Sequence, residues 1–365
     1  MRRHPSDGDP SRPQLSPIQF KDFDVSWAGP HPLGPGFAFG SEDGRVLMTD
    51  EAGVPLREPR KGSISGEAIN GIAHSGASLA VSTRRDVTLW TWNAINPDRV
   101  AVTGINCGTH GITVAPSGYY VAPLGREGIM ILQPTAEPND PVGVMIPNKE
   151  GLYFYRVVAL PGRGGQDLLV CAARQGGIGI TEIQWGQDNY NMRVATFAGL
   201  DLVDVCAIGG TPDEPAIAGV GRDGAILLVR DALHDRNPVT MRFNTVRGTV
   251  YRLLCARGHV FILTSRGLYG LMNLGDRLMQ GFTAEKITTP ILVMPMEAVD
   301  ANLVGDRWLL VTTPDEVLKF DVDLFDRSTP ENRNGEIREV VPETFTRDWQ
   351  VQSVQFRSNQ LASVV

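Results

Sequence analysis

The chain alternates short apolar runs with clusters of small, polar or charged residues, and one unit of that alternation recurs along nearly its whole length. The unit is an apolar strand, a turn and a second apolar strand. It reads FAFGSEDGRVLMTD over 37–50, LAVSTRRDVTLWTW over 79–92 and YVAPLGREGIMILQ over 120–133. Further copies are LLVCAARQGGIGITE over 168–182, AIAGVGRDGAILLVR over 216–230, VFILTSRGLYGLMN over 260–273 and WLLVTTPDEVLKFD over 308–321. Their turns return about every 41–49 residues. Ahead of most hairpins lies another strand-like run, as at 69–74, 111–116, 153–160 and 250–255. These runs are dense in small and β-branched residues, which predicts an innermost strand buried on both faces. A more polar segment follows each hairpin and often holds one more strand, as at 99–102 and 241–243. No window sustains a 3.6-residue apolar period, so helices should be few.

Four strands per unit, repeated radially, form a β-propeller, in which only short, protected sheet edges remain. The expected fold is all-β: a single propeller over 18–365, with seven blades of four antiparallel strands and eight as the alternative count. Residues 18–25 could supply an outer strand to the last blade. The segment 349–365 looks like half of another unit, and could close the ring or begin an eighth blade. The polar stretch 324–339 should be a long exposed loop. Residues 1–17, rich in charge and proline without an apolar core, predict a flexible tail rather than a secretory signal.

The units resemble the WD40 repeat family, best at Ser41-Glu42-Asp43-Gly44, at Gly221-Arg222-Asp223-Gly224 and in the closing run Asp86-Val87-Thr88-Leu89-Trp90. The Trp-Asp dipeptide is absent at every unit end, and Gly258-His259 starts a hairpin rather than standing where the family places its Gly-His pair. Those departures imply that the family's Asp–His–Ser/Thr–Trp hydrogen-bond network does not operate here. The resemblance implies a rigid platform for other proteins.

Composition narrows the functions. With 34 basic and 41 acidic side chains the net charge is −7, which excludes a protein that coats nucleic acid with its whole surface. Glycine (40) and proline (25) are enriched, as turns between strands require. Cys107, Cys171, Cys206 and Cys255 are far apart, without zinc or redox spacing; the last three sit in apolar runs and read as buried thiols of a cytoplasmic protein. The six histidines form no HxH or HxxxH pair, no GxSxG elbow is present, and the glycine runs at 162–165 and 176–177 read as turns. The sequence therefore predicts no catalytic residues, no metal and no cofactor.

What stands out is an arginine in the hairpin turn of five units: Arg85, Arg126, Arg174, Arg222 and Arg266. Equivalent turns of a propeller share one rim, so the spacing predicts an arc of guanidiniums suited to carboxylates or phosphates. Asp86, Glu127 and Asp223 would partly neutralise it. The starts of the inner strands should fall on the same face, near the axis: Asn70, His110, Tyr153, Tyr155, Asp201, Tyr251 and Asp300. The aromatic members, with His110, suit contact hot spots. The leading expectation is a non-catalytic scaffold, adaptor or sensor subunit that binds other protein subunits, some with acidic surfaces, through this rim and the channel mouth, and that has no membrane contact. Two other readings compete. One is a metal-dependent lactonase or other hydrolase built on Asn70, Asp201 and Asp300. The other is anion or nucleic-acid binding by the arginine arc, which the negative net charge disfavours.

Overall fold

A computed structural model describes residues 22–32, 34–76, 78–91, 100–105, 109–133, 143–147, 152–174, 177–183, 193–196, 200–234, 238–243, 245–271, 273–274, 290–294, 297–314, 317–322 and 352–354. Seven four-stranded antiparallel sheets follow one another along the chain, each a simple meander. Named a to d from the axis outward, the strands of blade 1 are Val25–Pro30, Phe37–Ser41, Arg45–Thr49 and Arg60–Lys61. Blade 2 comprises Ile69–Ser75, Ser78–Thr83, Val87–Thr91 and Val100–Ile105, and blade 3 Thr113–Val114, Tyr120–Pro123, Gly128–Leu132 and Gly143–Pro147. Blade 4 comprises Tyr153–Pro161, Asp167–Arg174, Gly177–Ile183 and Arg193–Thr196, and blade 5 Leu202–Gly210, Pro215–Gly221, Ile226–Val229 and Val239–Met241. Blade 6 comprises Val250–Ala256, His259–Thr264, Gly267–Leu271 and Ile291–Met294, and blade 7 Asp300–Val304, Trp308–Thr312, Val317–Asp321 and Gln352–Val354. Successive a strands touch all the way round, and the first touches the seventh. The fold is a single seven-bladed propeller.

The turns explain the hairpins. In blade 1 the Gly44 amide donates to the Ser41 carbonyl at 3.2 Å, and Gly44 takes φ +79°, where a side chain would be strained. Gly224 repeats this in blade 5, with φ +80° and a 2.9 Å bond to the Gly221 carbonyl. Residues 1–17 and the loop expected at 324–339 lie outside the described residues. Gln352–Val354 pairs with Val317–Lys319 as strand d of blade 7, so this part of the segment 349–365 completes the seventh blade in the place expected for 18–25, and Val25 instead begins strand a of blade 1.

Burial corrects one expectation. The b strands, not the innermost ones, are sealed on both faces: every residue of Ser78–Thr83, Pro215–Gly221 and His259–Thr264 is buried. Strand a of blade 4 is mostly half-buried. The reason is the division of the core into seven clusters, one at each blade junction. Alternate side chains of a b strand enter different clusters, as when Val260 and Ile262 face blade 5 while Phe261 and Leu263 face blade 7. The a strands instead border an axial cavity of about 400 Å³. Cys171 and Cys206 are buried thiols, and burial pushes both well above the ordinary thiol range. Cys255 is only half-buried, because it faces that cavity.

Blade 2 carries a buried carboxylate of its own. Asp86 is buried and accepts hydrogen bonds from Ser63, Ser65 (2.6 Å), Thr83 and Thr88 (3.0 Å), while Trp90 Nε1 donates to the Gly62 carbonyl at 2.6 Å. The Asp86 carboxylate is thus tethered through hydroxyls alone, with no histidine in the cluster.

Candidate functional site

The a strands carry a recurring irregularity that sets the site. In blades 1, 2, 4, 5 and 6 the pairing of a with b slips by one residue near the start of a, leaving Ser26, Asn70, Tyr155, Val203 and Tyr251 without a partner across the ladder. Such a bulge re-aims the side chains beside it. Each slip falls at the same end of the sheet as the b–c turns, since Tyr153 pairs with Arg174 and Leu202 with Gly221. The bulges and the arginine turns therefore share one rim.

On that rim the structure gathers six of the residues singled out from the sequence. Tyr153, Tyr155 and His110 form a ring cluster with centroids 5.0–5.4 Å apart. The Tyr153 hydroxyl lies 2.6 Å from His110 Nε2, and the Tyr155 hydroxyl accepts from Arg222 Nη2 at 2.9 Å. Arg222 and Arg174 both approach one carboxylate oxygen of Asp201, at 3.3 and 3.8 Å. Two exposed guanidiniums thus share a single negative charge beside a half-buried aromatic face. Burial pushes the His110 imidazole below its ordinary value, and the charges of Arg156 and Arg84 push it further the same way.

Other rim residues stand apart. Arg85 pairs with Glu67 at 2.5 Å, while the neighbouring Asp86 is committed to its buried hydroxyls. Asp223 pairs with Arg242 rather than Arg222. Asp201 and Glu67 thus neutralise part of the arc, while Asp86 and Asp223 are engaged elsewhere. Arg126, Arg266 and Tyr251 are exposed on the same rim.

Below the rim lies a charge network that the sequence reading passed over, except for Asp300. Arg252 Nε donates to Asp204 at 3.0 Å and its Nη1 to Asp300 at 3.0 Å. Asp204 also accepts from the backbone amides of Val205 and Leu253, at 2.9 Å each. Asn302 Nδ2 bridges Asp300 Oδ2 (3.1 Å) and the Ala28 carbonyl (2.8 Å). Burial alone would lower the Arg252 guanidinium, but Asp300 and Asp204 more than reverse that and hold it above its ordinary value. Arg156 fares differently. Burial and the charge of Arg252 hold it below its ordinary value, with Asp300 at 3.9 Å and the more distant Asp204 offsetting them only in part.

The three residues of the hydrolase reading do not converge. Asn70 Nδ2 donates to the Thr109 carbonyl at 2.6 Å, Asp201 serves the rim arginines, and Asp300 serves Arg252. Among the described residues no three His, Cys, Asp or Glu side chains are grouped to hold a metal ion. No helix among them is long and apolar enough to cross a membrane.

Comparison with known proteins agrees with the architecture. No family model matches the chain, and no curated protein matches it in sequence. Solved structures do. The Cps50 (Swd1) β-propeller domain of Myceliophteria thermophila superposes with a TM-score of 0.58 at 15% identity, covering 81% of this chain and 94% of that one. Hydrazine synthase of Kuenenia stuttgartiensis gives 0.58 at 12% identity, covering 83% and 96%. At such identities the likeness is one of fold. One neighbour is named as a propeller domain and the other as an enzyme, so the fold by itself does not choose between binding and catalysis.

The depressed histidines carry a pH prediction. His31 is lowered by burial and by His74, His74 by burial against an opposing bond at Gly76, and His110 as above. Each folded imidazole takes a proton less readily than its unfolded counterpart. Their stabilising contribution is therefore complete above the ordinary value of 6.5 and is lost as the pH falls below it. Denaturant unfolding at about pH 7.5 and about pH 5.5 should show the lower stability at the acid end, with a smaller difference in His110→Gln. Equal stability at both values would contradict it.

Proposed function

We propose that this propeller is a non-catalytic interaction module whose recognition surface is the rim formed by His110, Tyr153, Tyr155, Arg174 and Arg222. The observation that carries the reading is the sharing of Asp201 by Arg174 and Arg222 beside a cluster of tilted aromatic rings. One carboxylate leaves the pair with a surplus positive charge, and the Tyr155 hydroxyl fixes one guanidinium in place. A positive fork next to an aromatic face fits an acidic segment of another protein that brings one apolar or aromatic side chain with its carboxylates. The scaffold contributes stiffness, because the rim side chains stand on strands whose neighbours are sealed in the core, so little ordering entropy is lost on binding.

The test is affinity capture with the full chain against a doubly reversed rim, Arg174→Glu with Arg222→Glu, and against Arg163→Glu as a control at the opposite end of blade 4. Acidic partners should be retained by the control and lost, by tenfold or more, from the rim variant. Partners held equally by all three proteins would overturn the reading.

A further inference from the structure

The axial cavity holds a guanidinium whose partners do not satisfy it. Arg156 has five N–H donors, and among the described residues it makes no hydrogen bond; its nearest opposite charge is Asp300 Oδ1, at 3.9 Å. Asp300 is already engaged by Arg252 and Asn302, and Asp204 by Arg252 and two backbone amides. Neither carboxylate is placed to close on Arg156. The side chain is about a quarter exposed, and that exposure opens into the cavity it lines. Its position is built in by the backbone. Arg156 Nη1 lies 2.5 Å from the point where a side chain at position 111 would begin, and that position is Gly111 with φ +139°. Buried guanidiniums in proteins are ordinarily matched by acceptors in the plane of the fork.

We propose that the axial channel is a binding site for a small monocarboxylate, its carboxylate gripped by the Arg156 fork and its apolar body lying along Ile72, Ile112, Val158 and Leu303. Three features fix the class. The four charges at the axis, Arg156, Arg252, Asp204 and Asp300, sum to zero, so a single added negative charge is tolerable whereas a phosphate dianion beside Asp300 is not. The lining beyond the charged groups combines Asn70, Thr113 and Asn302 with aliphatic side chains, and the latter leave room for a ligand with an apolar body. A volume of about 400 Å³ admits a molecule of benzoate or hexanoate size and excludes a folded segment. The site is separate from the rim surface, and it contributes a second specificity to the same face.

The experiment is ligand-observed NMR with sodium benzoate and sodium hexanoate on the full chain, with hexan-1-ol and inorganic phosphate as controls. The two carboxylates should show saturable binding and compete with each other, while phosphate and the alcohol should bind far more weakly. Arg156→Gln should weaken both carboxylates on the order of 10- to 100-fold, as expected for loss of a charged hydrogen-bonded pair. If that variant fails to fold, Arg156→Lys keeps the charge but loses the fork, and should weaken benzoate by about tenfold. No saturable carboxylate binding by the native chain overturns the proposal. So does unchanged affinity in a folded Arg156 variant, or binding lost instead in Arg222→Gln, which would place the ligand on the rim.

Discussion

Replacing Arg252 by methionine should cost about 3–5 kcal/mol of folding stability, among the largest effects of any single substitution outside the apolar core. Among the described residues Arg252 alone hydrogen-bonds both axial carboxylates, and its own side chain is only 13% exposed. Without it Asp204 and Asp300 remain in place, with Arg156 as the nearest cation and still 3.9 Å from Asp300. The cost is thus the desolvation of charges left behind, not the net worth of two hydrogen bonds. A double-mutant cycle separates these. Adding Asp300→Asn to Arg252→Met should recover part of the loss, so the double variant should be less destabilised than the two single effects summed. A denaturant midpoint within about 1 kcal/mol of native for Arg252→Met would refute this account of the axis.

Asp86→Ala comes next, at about 2–4 kcal/mol, because it strands the hydroxyls of Ser63, Ser65, Thr83 and Thr88 together. Burial raises the Asp86 carboxyl, but the donors around it prevail and hold it below its ordinary value of 3.8. The sign follows: this stabilisation is present above pH 3.8 and disappears as the pH falls through the lower folded value. Native and variant proteins should therefore differ in unfolding midpoint at neutral pH and converge in strong acid. A difference that persists unchanged would assign the loss to packing instead.

The architecture was legible because it repeats. Each hairpin is read from one short window, and seven windows with a common period leave few folds to choose from. Burial was less legible, since period-2 patterns do not say which of two apolar strands faces the axis. The rim was half legible. Arg174, Arg222, Tyr153, Tyr155 and His110 could each be placed on one face from the sequence, but their meeting depends on the bulge that shifts strand a of blade 4 by one residue. A one-residue slip reverses which face a side chain takes, and nothing local in TYR-ARG or LEU-VAL-ASP runs announces it. The axial charges did leave a trace. Arg156, Asp204, Arg252 and Asp300 follow one another at intervals of 48 residues with alternating sign, each on an innermost strand. Charge in a strand interior, aligned to the repeat, is the signal that would have found them.

The seventh junction has a consequence of its own. Blade 7 meets blade 1 through Phe37, Phe39, Leu310 and Val317 and through the bond from Asn302 to the Ala28 carbonyl, while the pairing ladders stay within each blade. The junctions are thus formed chiefly by packed side chains, with single bonds to backbone carbonyls and one backbone bridge, Gly125 to Phe154, between blades 3 and 4. Rotating the order of the blades along a circularly permuted chain would leave every ladder intact, so the circle has no privileged point at which to be opened.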